Sequence, residues 1–188
     1  MKATLASQNA HKLGELRAIL PGWELDALDA DGWPEETGAT YEENARIKAE
    51  FARGLVADGW VLGEDSGIEC DGLGGEPGLH SARWAPSGSQ ADALLERLAG
   101  ETDRGARMVA TIVALSPDGE EVTGAGVLDG AIATERRGEE GFGYDPVFVP
   151  TGFKSTVAEL GEGWKHRHSH RARAARALVE ALGRRGSG

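Results

Sequence analysis

Two acids and two lysines are the residues of this chain best suited to chemistry on a highly charged substrate: Glu43 and Asp65, Lys12 and Lys48. Mg²⁺ takes near-octahedral oxygen coordination and often uses only one or two protein carboxylates, with water and substrate phosphate completing its shell. Glu43, expected on the first turn of a helix, and Asp65, expected where a strand passes into a loop, are positions from which two such oxygens can converge as metal ligands. Each has a plainer alternative, Glu43 as a capping or solvated acid and Asp65 as a turn former within Asp65-Ser66-Gly67. Asn44 and Lys48 stand at i and i+4, so one helix face can present both to the same phosphate. Ser66 can donate its hydroxyl beside Asp65, and Gly67 lets the backbone approach closely. The segment from Ser7 to Lys12 falls between a strand end and a helix start. Free N–H groups there can meet an anion, and Asn9 can cap the helix or hold a ligand.

A second group of residues has the character of a recognition site. Phe142 and Tyr144, set among Gly141, Gly143 and Pro146, can cover a planar base, while Asp145 can order that loop or accept hydrogen bonds from a ligand. From Lys165 to Arg185 there are seven Lys and Arg residues against one Glu, in a chain whose formal net charge is −11. Within that basic stretch Lys165, His170 and Arg171 suit an anionic or carbonyl-rich substrate as donors. The spacing of His166, His168 and His170 would suit a transition metal only on extended backbone. Arg83 can contact phosphate or form a packing salt bridge. Trp84 has the character of a core or interface residue, and Cys70, the only cysteine, that of a buried structural thiol. There is no Walker pattern, no dinucleotide-binding glycine fingerprint and no nucleophile elbow, so phosphate binding must come from dispersed residues.

These residues need a scaffold. The length of 188 residues suits one domain or two closely joined lobes. A strand over residues 2–7 leads to a helix over 12–20, whose Leu13, Leu16 and Leu20 form a buried face. A second helix is expected over 41–57, with Ala45, Ala49 or Ala52, and Val56 inward. Val61 and Leu62 lead into Gly63-Glu64-Asp65-Ser66-Gly67 as a strand running into a turn, and Ile68 begins another extended piece. Residues 72–86 form an ordered loop and 89–98 a helix. Residues 108–115 and 121–128 flank Ser116-Pro117-Asp118-Gly119 as a hairpin. A strand over 146–149 and a helix over 172–182 follow. Gly183 is expected to stop that helix, making 1–183 a single domain and 184–188 a flexible tail. The acidic balance argues against duplex DNA or an anionic membrane as a partner. With neither a signal-peptide pattern nor a long apolar run at its start, the chain is expected to be cytoplasmic.

Taken together and in order, these segments resemble the inosine triphosphate pyrophosphatase family, which acts on non-canonical purine nucleoside triphosphates. Ser7, Asn9 and Lys12 match its opening pattern, with Gln8 in place of the usual glycine. Glu43-Asn44-Ala45 with Lys48 matches its helix motif. Glu64-Asp65-Ser66-Gly67 stands for the usual Asp-Asp-Ser-Gly. Pro77-Gly78 and Ser81-Ala82-Arg83 match, with His80 where a tyrosine is common, as do Gly141 to Pro146 and Lys165 followed by Ser169-His170-Arg171. The resemblance implies an elongated α/β fold, a mixed central sheet with flanking helices and two lobes around a substrate cleft, commonly as a homodimer. It implies Mg²⁺-dependent hydrolysis of ITP, dITP and XTP to the monophosphate and pyrophosphate. By that comparison Glu43 and Asp65 position metal-bound phosphate and Asp65 is a candidate to activate water. Ser7, Asn9, Lys12, Lys48 and Ser66 organise the triphosphate, and Phe142, Tyr144, Asp145, Lys165, His170 and Arg171 read the base. The alternatives are a Maf-like pyrophosphatase acting on modified pyrimidine nucleotides and a nucleotide-binding protein without catalysis.

Overall fold

A computed structural model describes residues 1–185. The elements are β1 (Lys2–Ala6), α1 (Ala10–Ile19), β2 (Glu24–Ala27), α2 (Tyr41–Leu55), β3 (Trp60–Cys70), a 3₁₀ turn (Asp71–Leu73), β4 (Pro77–Gly78), α3 (Gln90–Arg97), β5 (Gly105–Leu115), β6 (Glu121–Ile132), β7 (Phe148–Pro150), α4 (Val157–Leu160), α5 (Glu162–His168) and α6 (His170–Arg185). The fold is mixed α/β. Its sheet runs β2-β1-β3-β5-β6-β7, with β4 paired to β3. β1 is parallel to β2 and to β3, whereas β4 and β7 are antiparallel to their partners. Among the described residues no helix is long and apolar enough to cross a membrane.

The chain divides into two compact units, each assembled from separated segments. The first takes, of the described residues, 1–65, 110–126 and 171–185. Successive strand side chains point to opposite faces of a sheet, and the first unit buries both. On one face Leu5, Leu62, Ile112 and Val122 pack with Leu16 of α1 and with Ala174, Ala175 and Leu178 of α6. On the other, Ala6, Val61, Val113 and Leu115 pack with Ala45, Ala49 and Ala52 of α2. Two glycines set how closely the helices approach. A Cβ on Gly63 would stand 1.9 Å from the Ala45 carbonyl oxygen, and one on Gly124 would stand 2.3 Å from that of Ala174. The second unit, residues 66–109 and 127–170, has its own core of Ile68, Leu94, Leu98, Met108, Leu128 and Phe148.

Several expectations need correction. The Asp65-Ser66-Gly67 run is not a turn but the middle of β3, because pairing and burial override the local preference of these residues. α1 starts at Ala10, one residue after its cap Asn9, rather than at Lys12. Gly183 does not stop the last helix, which continues to Arg185. A mid-helix glycine costs about 1 kcal/mol, and the neighbouring Ala181 and Leu182 pack on the first unit's core. The expected tail therefore begins inside α6, and its residues 186–188 lie outside the described residues. β2 was not expected. Of its four residues only Leu25 is buried, so it has no alternation to see.

The contact at Gly63 is with backbone, which cannot move aside as a side-chain end can. Gly63→Ala should therefore destabilise the protein by about 1–3 kcal/mol or more, the range for overpacking a well-filled core. Urea denaturation followed by circular dichroism measures this.

Candidate active site

The alternation along β3 sends its two consecutive acids to opposite faces. Glu64 shares the parity of Leu62 and faces α1 and α6. Asp65 shares the parity of Val61 and faces α2. Both are buried, and burying an unpaired carboxylate is costly, so each face must supply cations.

On the α2 face the helix start is fixed first. The Thr40 hydroxyl accepts a hydrogen bond from the Glu43 N–H at 3.1 Å, and the Glu43 carboxylate accepts one from the Ala39 N–H at 2.6 Å. One turn later Asn44 donates from Nδ2 to Asp65 Oδ2 at 3.3 Å, and Lys48 Nζ reaches Asp65 Oδ1 at 2.9 Å. Lys48 also reaches Glu36 Oε1 at 2.7 Å, so Glu36 and Asp65 meet on one ammonium. Burial raises the Asp65 pKa above the ordinary aspartate value; Lys48 opposes the rise, and Glu64 adds to it. For Lys48 burial acts to lower the pKa, but Asp65 and Glu36 outweigh it and the value is raised.

On the opposite face Asn9 caps α1 by accepting from the His11 N–H at 3.0 Å, and Ser7 Oγ accepts from the Asn9 N–H at 3.2 Å. That start places Lys12 with its Nζ 2.6 Å from Glu64 Oε2. Arg171 donates from Nε and Nη2 to Glu64 Oε1 at 3.2 and 3.1 Å, and from Nη1 to Glu15. Burial acts to raise the Glu64 pKa, but the charges of Arg171 and Lys12 outweigh it and hold Glu64 ionised far below the ordinary carboxylate range.

The second unit gathers the aromatic residues. Asp145 Oδ2 accepts from the Phe142 N–H at 2.7 Å and from Lys165 Nζ at 2.5 Å, and that ammonium stands 4.2 Å from the centre of the Phe142 ring. Gly141, at φ +80°, is required here, since a Cβ would lie 2.2 Å from Asp145 Oδ2. Tyr144 packs on the second unit's core, and its hydroxyl donates to the Ser81 carbonyl at 2.8 Å. His170 is buried at the start of α6, Ser66 is half-buried in β3, and Arg83 is exposed. The three alternating histidines stand on helices rather than on extended chain, with His166 3.0 Å from Glu162 and His168 stacked near Trp164. Cys70 is buried and its thiol is pushed up to about 12, chiefly by burial, as expected of a structural cysteine.

The expected residues thus form two sets. Lys12, Asn44, Lys48, Asp65 and Arg171 are tied into the first unit's buried acids, and Phe142, Asp145 and Lys165 form a cluster in the second. Glu43 has its carboxylate on Ala39, and Arg171, expected to face a base, has three donor nitrogens on Glu15 and Glu64. Sequence reasoning passed over Glu15 and Glu36 and treated Glu64 only as a departure from a pattern. Among the described residues no group of three or more His, Cys, Asp or Glu forms a metal cluster. Asp65 and Glu36, both on one cation, are nonetheless hard oxygen donors of the type that suits Mg²⁺.

The sequence pattern of the Ham1 family matches residues 3–181. The chain belongs to the Ham1 family. It is 46% identical over 190 residues to a dITP/XTP pyrophosphatase of Symbiobacterium thermophilum, covering 96% of this chain and 94% of that protein. It is 41% identical over 195 residues to one of Bdellovibrio bacteriovorus, covering 97% and 98%. The Ham1 protein of Staphylococcus aureus superposes with a TM-score of 0.84 at 35% identity over the whole of both chains. A nucleoside-triphosphatase / dITP/XTP pyrophosphatase of Mycobacterium abscessus gives a TM-score of 0.73 at 38% identity, covering 97% of this chain and all of that one.

In this Ham1 chain the depressed pKa of Glu64 has a consequence for stability. A carboxylate whose folded pKa is depressed contributes stability that is complete above its unfolded value and lost as pH falls toward the folded value. Stability should therefore fall as pH drops below the ordinary glutamate value of 4.5. In Glu64→Gln, less stable at neutral pH, that acid slope should be shallower. Denaturation in chelator-containing buffer from pH 7 to pH 3 compares the two proteins.

Proposed function

We propose that this protein hydrolyses non-canonical purine nucleoside triphosphates, namely dITP, XTP and ITP, to the nucleoside monophosphate and pyrophosphate, with Mg²⁺ as cofactor. The observation that carries the reading is Asp65, a buried carboxylate with a raised pKa held between Asn44 and Lys48, in a chain closely similar to proteins named dITP/XTP pyrophosphatases.

Under this proposal water adds across the anhydride between the α and β phosphates. The water oxygen joins phosphorus, the bridging P–O bond breaks, and a proton leaves the water. Asp65 takes that proton. Burial raises its pKa above the ordinary aspartate value, which makes it a better base than an exposed aspartate. Asp65 with Glu36 would hold Mg²⁺, and Glu43, expected in that role from the sequence, stands in the first turn of α2. When bound, the ion would offset phosphate charge and favour attack by water. Lys48, released from the acids, and Lys12 then neutralise phosphate oxygens, with Ser7, Asn9, Asn44 and Ser66 as hydrogen-bonding partners.

Base selection is proposed for the second cluster. Hypoxanthine and xanthine carry a carbonyl at purine position 6 where adenine carries an amine, so cationic or N–H donors favour the former. Lys165 and His170 are assigned as those donors, Phe142 as the ring that covers the base, and Asp145 as the group that fixes both Phe142 and Lys165. Tyr144 buttresses that loop. Arg171 enters as the cation that balances Glu64, and Arg83 as an outer phosphate contact. The homodimer implied by the family resemblance belongs to the same proposal and is tested by light scattering on the purified protein.

Purified protein should convert dITP and XTP to monophosphate and pyrophosphate, and chelation should abolish turnover. Chromatography of the nucleotide products decides this, since a diphosphate as primary product would mean that a different bond is cut. Asp65→Asn should lower kcat by about 10²–10⁴, the range for loss of a general base, while circular dichroism shows a retained fold. Lys165→Met should lower the ratio of kcat/KM for dITP over dATP by roughly tenfold or more, because a buried acceptor on the substrate loses its partner. An unchanged ratio in a folded variant would remove Lys165 from base selection.

A further inference from the structure

Arg171 meets Glu64 in an unusual way. A guanidinium beside a carboxylate usually docks as a fork, two parallel N–H bonds to two different oxygens. Here Nε and Nη2 both donate to the same oxygen, Oε1, at 3.2 and 3.1 Å. The second oxygen, Oε2, is left to Lys12 at 2.6 Å. Arg171 is turned so that its Nη1 donates to Glu15, a buried acid one turn along α1 from Lys12. Glu15 and Lys12 are three residues apart on the same helix and so lie on one face of it. The two ends of α1's charged face thus hold the two ends of the network.

We propose that Glu15 is a positioning residue for Lys12: by holding the Nη1 edge of Arg171 it keeps the guanidinium off the second oxygen of Glu64, and that oxygen then seats the Lys12 ammonium. Without the Glu15 charge, the guanidinium is free to swing into the ordinary two-oxygen fork with Glu64 and to compete with Lys12 for Oε2. Lys12 then loses the fixed position from which it meets phosphate. The effect reaches the phosphate end of the substrate and not its base, so it changes affinity for a polyphosphate equally in all nucleotides. This inference rests on the phosphate-binding role proposed for Lys12, and inorganic tripolyphosphate tests it without requiring turnover.

The experiment is a double-mutant cycle of Glu15→Gln and Lys12→Ala, reading the Kd of inorganic tripolyphosphate by calorimetry in the presence of chelator. Glu15→Gln in the otherwise unaltered chain should weaken binding roughly fivefold or more, within the range of coupling between contacting residues. In the Lys12→Ala background it should change binding less than twofold. Glu15→Asp, which keeps the charge, should recover part of the loss, and the dITP/dATP ratio of kcat/KM should stay constant across the Glu15 variants. Equal losses in both backgrounds would mean that Glu15 acts only on the fold and would overturn the inference, as would unchanged affinity in folded Glu15→Gln or no tripolyphosphate binding by the parent protein. If Glu15→Gln does not fold, the same cycle with Glu15→Asp applies, with the same additive outcome counting against it. A parent protein that binds tripolyphosphate with the coupled cycle but cleaves no dITP would sink the proposed activity and leave the positioning role standing. Active enzyme with an additive cycle would do the reverse.

Discussion

A strand covered on both faces gives consecutive side chains opposite surroundings, and in β3 the two residues at that divide are both acids. Because Glu64 and Asp65 are each buried, each needs cationic partners on its own side of the sheet. α2 supplies Lys48 to one face, and α1 and α6 supply Lys12 and Arg171 to the other. The Asn9 cap sets where α1 begins, and hence where Lys12 falls. The Thr40 cap does the same for Asn44 and Lys48 on α2, and Gly63 removes the side chain that would hold α2 away from the strand.

The two acids sit one residue apart and shift in opposite directions. Both are penalised by burial, but at Glu64 the charges of Arg171 and Lys12 overcome the penalty, whereas at Asp65 burial prevails over Lys48. Neighbouring carboxylates pushed apart in this manner are a common mark of divided roles, one acid kept permanently charged and the other able to exchange a proton. Glu64 suits the fixed counter-charge and Asp65 the proton acceptor. A single strand thus carries one acid whose pKa is held low and one whose pKa is raised, without any loop to separate them.

Local signals made part of this legible. The Ser116-Pro117-Asp118-Gly119 run between apolar stretches marks the turn joining β5 and β6, where the Gly119 N–H donates to the Ser116 carbonyl at 3.0 Å. The alanines of α2 recur at helical spacing and do face the core, and Asn9 was readable as a cap. What failed was local preference where tertiary burial dominates. Asp-Ser-Gly is ordinary turn composition, yet β3 lies between β1 and β5 and stays extended through it. The histidine alternation would have suited a metal only on extended chain, and α5 carries His166 and His168 on helical backbone. Glu15 had no visible signal at all, since the partner that gives it meaning is 156 residues away in the chain. Glu36 was hidden similarly, in a polar connection with no periodicity, 12 residues before the lysine it meets.

The first unit is built from three stretches of chain, and the last of them begins at Arg171. During synthesis, β3 and its Glu64 leave the ribosome long before that stretch exists. Until α6 arrives, one face of the strand lacks Ala174, Ala175 and Leu178 from its cover and Arg171, one of the two cations that offset a fully buried carboxylate. Domains generally fold as units during synthesis, and here the unit that holds the earliest segment is completed by nearly the last. A chain cut short before α6 keeps most of its residues and yet lacks three buried core residues of its first unit, Ala174, Ala175 and Leu178.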